Sequence, residues 1–309
     1  MQGVEILTIQ GEGMHVLITG GTGFIGSALS AELLAADHEV TVLTRQLIEP
    51  RGALRYVQNL EEIDDRARID AVINLAGASL AGRRWSPAYK REILDSRLET
   101  TTAVLQLLRR LDSTPGTLLN ASAIGYYGHH GDERLTEDGA VTPGFAQDLC
   151  RQWESLAQQA SAMGVRVCLL RLGVVLDAGD GAFVQMAQPF RMGIANWMGD
   201  GRQWLSWVHR KDVIAAILFL LQQVGLTGPF NLTAPQPITS RDFCAAMKRH
   251  TRTLITAPVP GFAMRLLVGE MANELLLQGQ RVIPAALEQA GFEFSYPDID
   301  SALDDILGT

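Results

Sequence analysis

"VLITGGTGFIGSAL", residues 16–29, sets a buried apolar strand before a run of glycines and an amphipathic helix after it. The glycines satisfy both Gly21-x-Gly23-x-x-Gly26 and the wider Gly20-x-x-Gly23-x-x-Gly26. Such a pattern says little alone, but strand before and helix after are the context a dinucleotide loop requires. One glycine allows the tight turn, the next lets backbone approach a pyrophosphate, and Gly26 lets helix pack on strand. The helix start then offers free N–H groups and a partial positive charge to an anion. Gly20, Thr22, Gly23, Phe24 and Ile25 are therefore read as cofactor-binding. The alternative is a glycine-rich turn with no ligand.

The choice of dinucleotide is read at the end of the second strand, "EVTVLT" (39–44). NAD sites usually place a carboxylate there, about 20 residues on, to hold the ribose hydroxyls. Here "LTRQ" puts Thr44 and Arg45 in that place. A carboxylate would repel a 2′-phosphate, whereas Arg45 can pair with it and stack on the adenine. A charge-assisted bond of about 1.5–3 kcal/mol gives about one to two decades of preference. The expected cofactor is NADP(H); the alternative leaves Arg45 a solvated surface residue.

Outward from the loop, short apolar runs alternate with helical patterns. "DAVINL" (70–75), "GTLLNAS" (116–122) and "VRVCLLRL" (165–172) read as further strands, and "GPFNLT" (228–233) as the last. Strands separated by helices imply crossovers and a parallel sheet, and burial on both faces explains their continuous apolarity. The expected class is α/β: a doubly wound parallel Rossmann sheet with a small, mostly helical C-terminal substrate lobe. Its expected division gives residues 1–13 to an extension, with 14–178 and 205–233 in the nucleotide-binding domain. Residues 179–204 and 234–309 fall to the small lobe.

Composition narrows the function classes. The chain of 309 residues is 47% hydrophobic and 19% charged, with a formal charge of −8, which argues against a nucleic-acid surface. No apolar run reaches the ~18 residues of a membrane span. Cys150, Cys168 and Cys244 are widely spaced without a CxxC pair, which suits a reducing compartment and gives no cysteine zinc site. A cytoplasmic location and no metal are expected.

"TGGTGFIG", "NLAG" (74–77), "WVHRKDV" and "FNLTAP" resemble landmarks of the extended short-chain dehydrogenase/reductases, the nucleotide-sugar epimerase group. "NLAGASLAGRRW", "SRLETT", "SAIGYYG", "CRQWE", "RLGVVL" and "LLLQGQRVIP" resemble an atypical, epimerase-like subgroup with a C-terminal segment of undefined role. The resemblance implies NADP binding. It sets Leu75 and Ala76 against the adenosine half, Arg97 near a cofactor ribose and Glu92 where it can brace Arg97, with Gly77 also read as cofactor-binding. Leu172 to Val175 correspond to the backbone lining the nicotinamide. Arg97 equally fits the basic helix face "YKREILDSR".

Ordinary members carry Tyr-x-x-x-Lys. The aligned stretch "TPGFAQDLCRQWE" has Ala146 at the tyrosine position and Cys150 at the lysine position. The usual serine slot holds Ala123, with Ser122 one residue earlier. A phenol without a neighbouring cation titrates about three units above neutrality, so ionising it at pH 7 costs about 4 kcal/mol. A neutral phenol is already an acid, which favours carbonyl reduction over alcohol oxidation. Tyr126 and Tyr127 are the candidate acids and Ser122 the candidate carbonyl-orienting group; packing is the alternative for all three, and adjacency leaves the tyrosines unranked. Cys150 reads as a small core residue and His209 as structural. The basic loop "GRRWSPAYKR" either meets an anionic substrate group or starts a helix capped by Ser86. The expected activity is an NADP(H)-dependent oxidoreductase or epimerase-like enzyme on an unknown small substrate; the rival is a silent NADP(H)-binding sensor or scaffold. Oligomeric state is open.

Overall fold

The computed structural model describes residues 13–308. The expected extension, apart from Gly13, lies outside the described residues. Seven strands form one sheet: β1 (His15–Thr19), β2 (Glu39–Leu43), β3 (Leu54–Val57), β4 (Ala71–Asn74), β5 (Thr117–Ala123), β6 (Arg166–Leu172) and β7 (Gly228–Leu232). Their spatial order is β7-β6-β5-β4-β1-β2-β3, and every pairing is parallel. The chain winds outward through β2 and β3, then returns to lay β4 on the other side of β1. This reversal opens a crevice beyond the C-terminal ends of β1 and β4, where open sheets of this class bind ligands.

Alternate residues of each strand serve opposite faces. Val16, Ile18, Ala71 and Ile73 pack against α1 (Phe24–Ala35) and α5 (Arg210–Gln222) through Leu29, Leu33, Val213 and Ile217. Leu17, Val72, Leu118 and Val167 face Val104, Leu105 and Leu108 of α2 (Pro87–Arg110). Because both faces are covered, the strands carry no polar alternation. The short strand Leu54–Val57 is absent from the sequence reading: "LRYV" sits at the sheet edge, half-buried, and lacks the long apolar signature of its neighbours.

The helices α4 (Ala182–Arg191) and α6 (Ser240–His250) and the last helix, Ile299–Leu307, enclose a third core of Phe183, Phe190, Trp207, Phe243, Met247, Leu303 and Ile306. The lobe also holds strands: Ile194–Met198 pairs in parallel with Ile255–Val259. The Leu-rich run after Pro260 is not one helix. It breaks at Gly269 (φ +68°), which separates Gly261–Val268 from a π-helical turn at Ala272–Leu277. Leu287 and Phe292 return to the core of the main sheet. Among the described residues, no helix is long and apolar enough to cross a membrane.

His209 joins the two cores. Its Nδ1 accepts from Lys211 N and caps α5, its ring stacks on Tyr296 at 3.9 Å, and Nε2 lies 3.2 Å from Asp305. Burial lowers its pKa from 6.5 to about 4, against the pull of Asp305. The fold therefore excludes a proton that the unfolded chain accepts, so this contribution is complete above pH 6.5 and is lost as pH falls towards about 4. Asp212, pushed up to about 6 by burial, acts in the opposite sense, gaining stability as pH falls through that value. Comparison with His209→Asn, which keeps a capping side chain, isolates the histidine. Thermal or urea unfolding is expected to show the wild type losing up to about 3 kcal/mol more than the variant between about pH 7 and pH 4.

Candidate functional site

The crevice begins where β1 ends. Gly20 takes φ +71° and its missing side chain lets it lie against the turn after β4: a Cβ there would stand 3.0 Å from Ala76 N. A Cβ on Gly26 would stand 2.3 Å from Gly20 O, so α1 meets the loop at a distance only glycine permits. Gly23 N donates to Gly20 O at 3.0 Å and closes the turn. Among the described residues no side chain caps α1, in contrast to α2, where Ser86 Oγ accepts from Tyr89 N. Its first-turn amides are left for an anion, with Thr22 and Gly23 exposed and Phe24 and Ile25 half-buried.

Buried hydrogen bonds hold the opposite wall. Thr19 Oγ1 donates to Asn74 Oδ1 at 2.5 Å and accepts from Ala76 N at 3.1 Å. Asn74 Nδ2 donates to Asn120 Oδ1 and Thr101 Oγ1, and Trp153 Nε1 donates to the same Thr101 oxygen. Leu75, Ala76 and Gly77 are thereby set beside Gly20. At the far end, Thr44 is buried and its Oγ1 accepts from Gln46 N, leaving Arg45 exposed just past β2.

Arg97 lies beneath the β4 turn, 9% exposed, its Nη1 donating to the carbonyls of Ala78 and Ile93. A Cβ on Gly77 would stand 2.9 Å from its Cζ. Its Nε is buried with no hydrogen-bond partner among the described residues, and burial lowers its pKa. Glu92 does not brace it. That carboxylate pairs with Arg83 Nη2 at 2.5 Å, because Glu92 lies on the exposed side of α2 and Arg97 on the buried side. Cys150, at the lysine position, is a buried thiol pushed up to about 11 by burial and by Glu154.

The end of β5 is dominated by a pair that the sequence reading passed over. Arg171 and Glu154 form a buried two-pronged ion pair, Nε to Oε1 and Nη2 to Oε2, both at 2.9 Å. Burial opposes the Arg171 charge, and Glu154 more than offsets it. A signal was present: Glu154 falls on the stripe Ala146, Leu149, Cys150, Trp153, Ala157 that α3 (Phe145–Ala157) buries, and Arg171 interrupts an apolar strand. Ser122 Oγ donates to Glu154 Oε1 at 2.6 Å. Tyr127 is fully buried; its hydroxyl donates to Asn231 Oδ1 at 2.7 Å and accepts from Arg171 Nη1 at 3.0 Å. Burial pushes that phenol up to about 12. Tyr126 differs: it is half-buried, its ring lies 3.5 Å below the Arg171 guanidinium, and its hydroxyl has no partner among the described residues.

Other predicted positions are dispersed. Leu172 ends β6 beside Ala123 and Leu232, and Val175 lies in Val174–Leu176, paired with Trp207–His209. Of the basic loop, Arg83 pairs with Glu92 and Lys90 with Glu270, so two of its cations already have acidic partners.

Removing one member of a buried ion pair leaves the other charge uncompensated, at about 3–5 kcal/mol. Arg171→Ala is expected to lose that much in urea unfolding. Arg171→Met with Glu154→Leu is expected to recover most of it, because no lone charge then remains.

Residues 16–232 match the NAD dependent epimerase/dehydratase family, and 259–306 match a domain of unknown function, DUF1731. An epimerase family protein of Mycobacterium bovis is 41% identical over 290 residues, 93% of this chain and 96% of its own. The crystal structure of human epimerase family protein SDR39U1 (isoform 2) with NADPH superposes with a TM-score of 0.83 at 31% identity, covering 96% of this chain and 99% of that one. A nucleoside-diphosphate sugar epimerase from Corynebacterium glutamicum gives 0.77 at 30% identity, over 96% of this chain and 58% of that one. With its crevice, its glycine loop and this extent of likeness, the chain belongs to the NAD dependent epimerase/dehydratase family.

Proposed function

We propose that this chain binds NADP(H) and acts as an oxidoreductase or epimerase-like enzyme on a small carbonyl or alcohol, with nucleotide sugars the first class to test. The observation that carries the cofactor is Arg45, an exposed cation at the end of β2 with no carboxylate in its place. The residues fit the group: the uncapped start of α1 suits a diphosphate, and the orphaned Arg97 Nε under the β4 turn suits a ribose oxygen. The NADPH in the human relative's structure supports the same choice.

When bound, the nicotinamide supplies hydride exchange. The chain's own residues must hold it and move a proton. Ser122 and Tyr127 spend their hydroxyls on Glu154, Asn231 and Arg171, so they build the wall of the site rather than serve a substrate. Tyr126 retains an unpartnered hydroxyl on a ring pinned by Arg171, which makes it the proton donor of this reading. Ala146 and Cys150 supply neither the hydroxyl nor the cation of ordinary members, and the guanidinium over the Tyr126 ring is already paired with Glu154, so this reading takes delivery of a proton to a carbonyl oxygen over its removal from an alcohol. That same absence favours the second reading, a sensor that keeps the cradle without chemistry.

Fluorescence titration with NADPH and NADH is expected to show NADPH bound more tightly. Arg45→Asp is expected to weaken NADPH by about ten- to a hundredfold while NADH binds at least as tightly as to the wild type, because the new carboxylate can hold its ribose hydroxyls. In a carbonyl-substrate screen following NADPH oxidation, Tyr126→Phe is expected to lower turnover at least about a hundredfold with NADPH affinity unchanged. Turnover retained by Tyr126→Phe removes that residue as the acid, and coenzyme binding with no turnover across the screen supports the sensor.

A further inference from the structure

Arg210 is a second cation at the mouth of the crevice. It is the first residue of α5, and its Cζ lies 5.1 Å from the ring centre of Phe24. Phe24 opens α1 directly after Gly23, so its backbone belongs to the uncapped turn. Gly181 lies against the same ring: it takes φ +85°, and a Cβ there would stand 3.0 Å from Phe24 Cε1. Three segments thus meet around one guanidinium.

Its bonding is incomplete. Nε lies 3.1 Å from Asp177 Oδ2 yet is a buried nitrogen with no aligned hydrogen bond, and neither Nη group has a partner among the described residues. Arg171, by contrast, makes four hydrogen bonds, to Glu154, Tyr127 and the Glu137 carbonyl. Arg210 instead holds one loose contact to a carboxylate and stacks on an apolar ring, with its side chain 29% exposed. A planar cation with open donors beside free helix amides matches the chemistry of a phosphate, which takes parallel N–H bonds from a guanidinium.

We propose that Arg210 closes on the diphosphate of the bound dinucleotide from the side opposite the α1 amides, exchanging Asp177 for phosphate oxygens. This deepens the NADP(H) reading and rests on it. It separates two tasks: Arg45 reads the 2′-phosphate, whereas Arg210 grips a group common to both coenzymes. Asp177 serves as the resting partner that keeps the guanidinium over Phe24 when no ligand is present.

The test is binding, independent of any substrate. Reduced coenzymes are titrated by fluorescence into wild type, Arg210→Ala, Arg210→Lys and Asp177→Asn, with the melting temperature of each recorded. Arg210→Ala is expected to raise the Kd of NADPH and of NADH by the same factor, about ten- to a hundredfold, with their ratio unchanged. Arg210→Lys is expected to recover part of the loss, because charge returns without the planar fork. Asp177→Asn is expected to bind at least as tightly as wild type, because the cation loses a competitor. Unchanged affinities in Arg210→Ala overturn the proposal, as does a loss confined to NADPH. A parallel loss of affinity and melting temperature in both Arg210→Ala and Asp177→Asn overturns it in favour of a structural ion pair. A wild type that binds neither coenzyme removes the NADP(H) reading itself, a result visible before any variant is made.

Discussion

The approach of Gly26 to the carbonyl of Gly20 constrains everything above the sheet. At 2.3 Å from that oxygen there is no room for a Cβ, so α1 can seat its first turn directly on the end of β1 only because the side chain is missing. The consequence runs in both directions. Leu29 and Leu33 further along α1 reach the core of the sheet, and its first turn, with no side-chain cap among the described residues, follows directly on the end of β1. Packing and ligand binding therefore share one contact, and neither can be adjusted without the other.

Two polar networks stiffen the walls of that crevice, and both lie below the ligand surface. Thr19, Asn74, Thr101, Asn120 and Trp153 satisfy one another beneath the β4 turn. Arg171, Glu154, Ser122, Tyr127 and Asn231 do the same beneath the end of β5. Buried polar groups are costly when unpaired, so each network specifies one arrangement and resists partial rearrangement. Glu137 extends the second network towards the C-terminal region, accepting from Asn231 N and Ala286 N. The site is consequently fixed where its polar side chains pair with one another, and among the described residues it is open at the Tyr126 hydroxyl, at Arg45 and at the Nη groups of Arg210.

The C-terminal region is fastened to the same site from outside. Met271 packs on Trp85, Tyr89 and Ile93 of the α2 segment and Leu149 of α3, and Glu270 pairs with Lys90. Glu274, on the π-helical turn, brings an oxygen to 3.4 Å from Ala146 N at the start of α3. Arg281–Val282 adds a short parallel pairing to Arg134–Leu135, next to Tyr127. The preceding helix, Gly261–Val268, buries no residue and leaves Phe262, Leu266 and Leu267 exposed. A segment of one family-defined domain is thus clamped at its second half and free along its first.

Local chemistry was enough for the sheet, the loop and the cofactor class. Glycine spacing after an apolar strand, an arginine at the end of the next strand and doubly buried β-runs are properties of neighbouring residues. They are legible because backbone sterics and burial act within a few positions. The edge strand Leu54–Val57 escaped because half-burial dilutes its pattern. Partnership is what only the folded chain decided. Tyr126 and Tyr127 are adjacent in sequence, yet one hydroxyl is spent on Asn231 and the other is free, because the decisive neighbour arrives from β7, 104 residues away. Glu92 and Arg97 were separated, and Arg171 and Glu154 joined, by which side of a helix or strand faces the core. Those choices depend on distances between segments remote in the chain: the stripe on α3 marks Glu154 as buried, but only the folded chain names its partner.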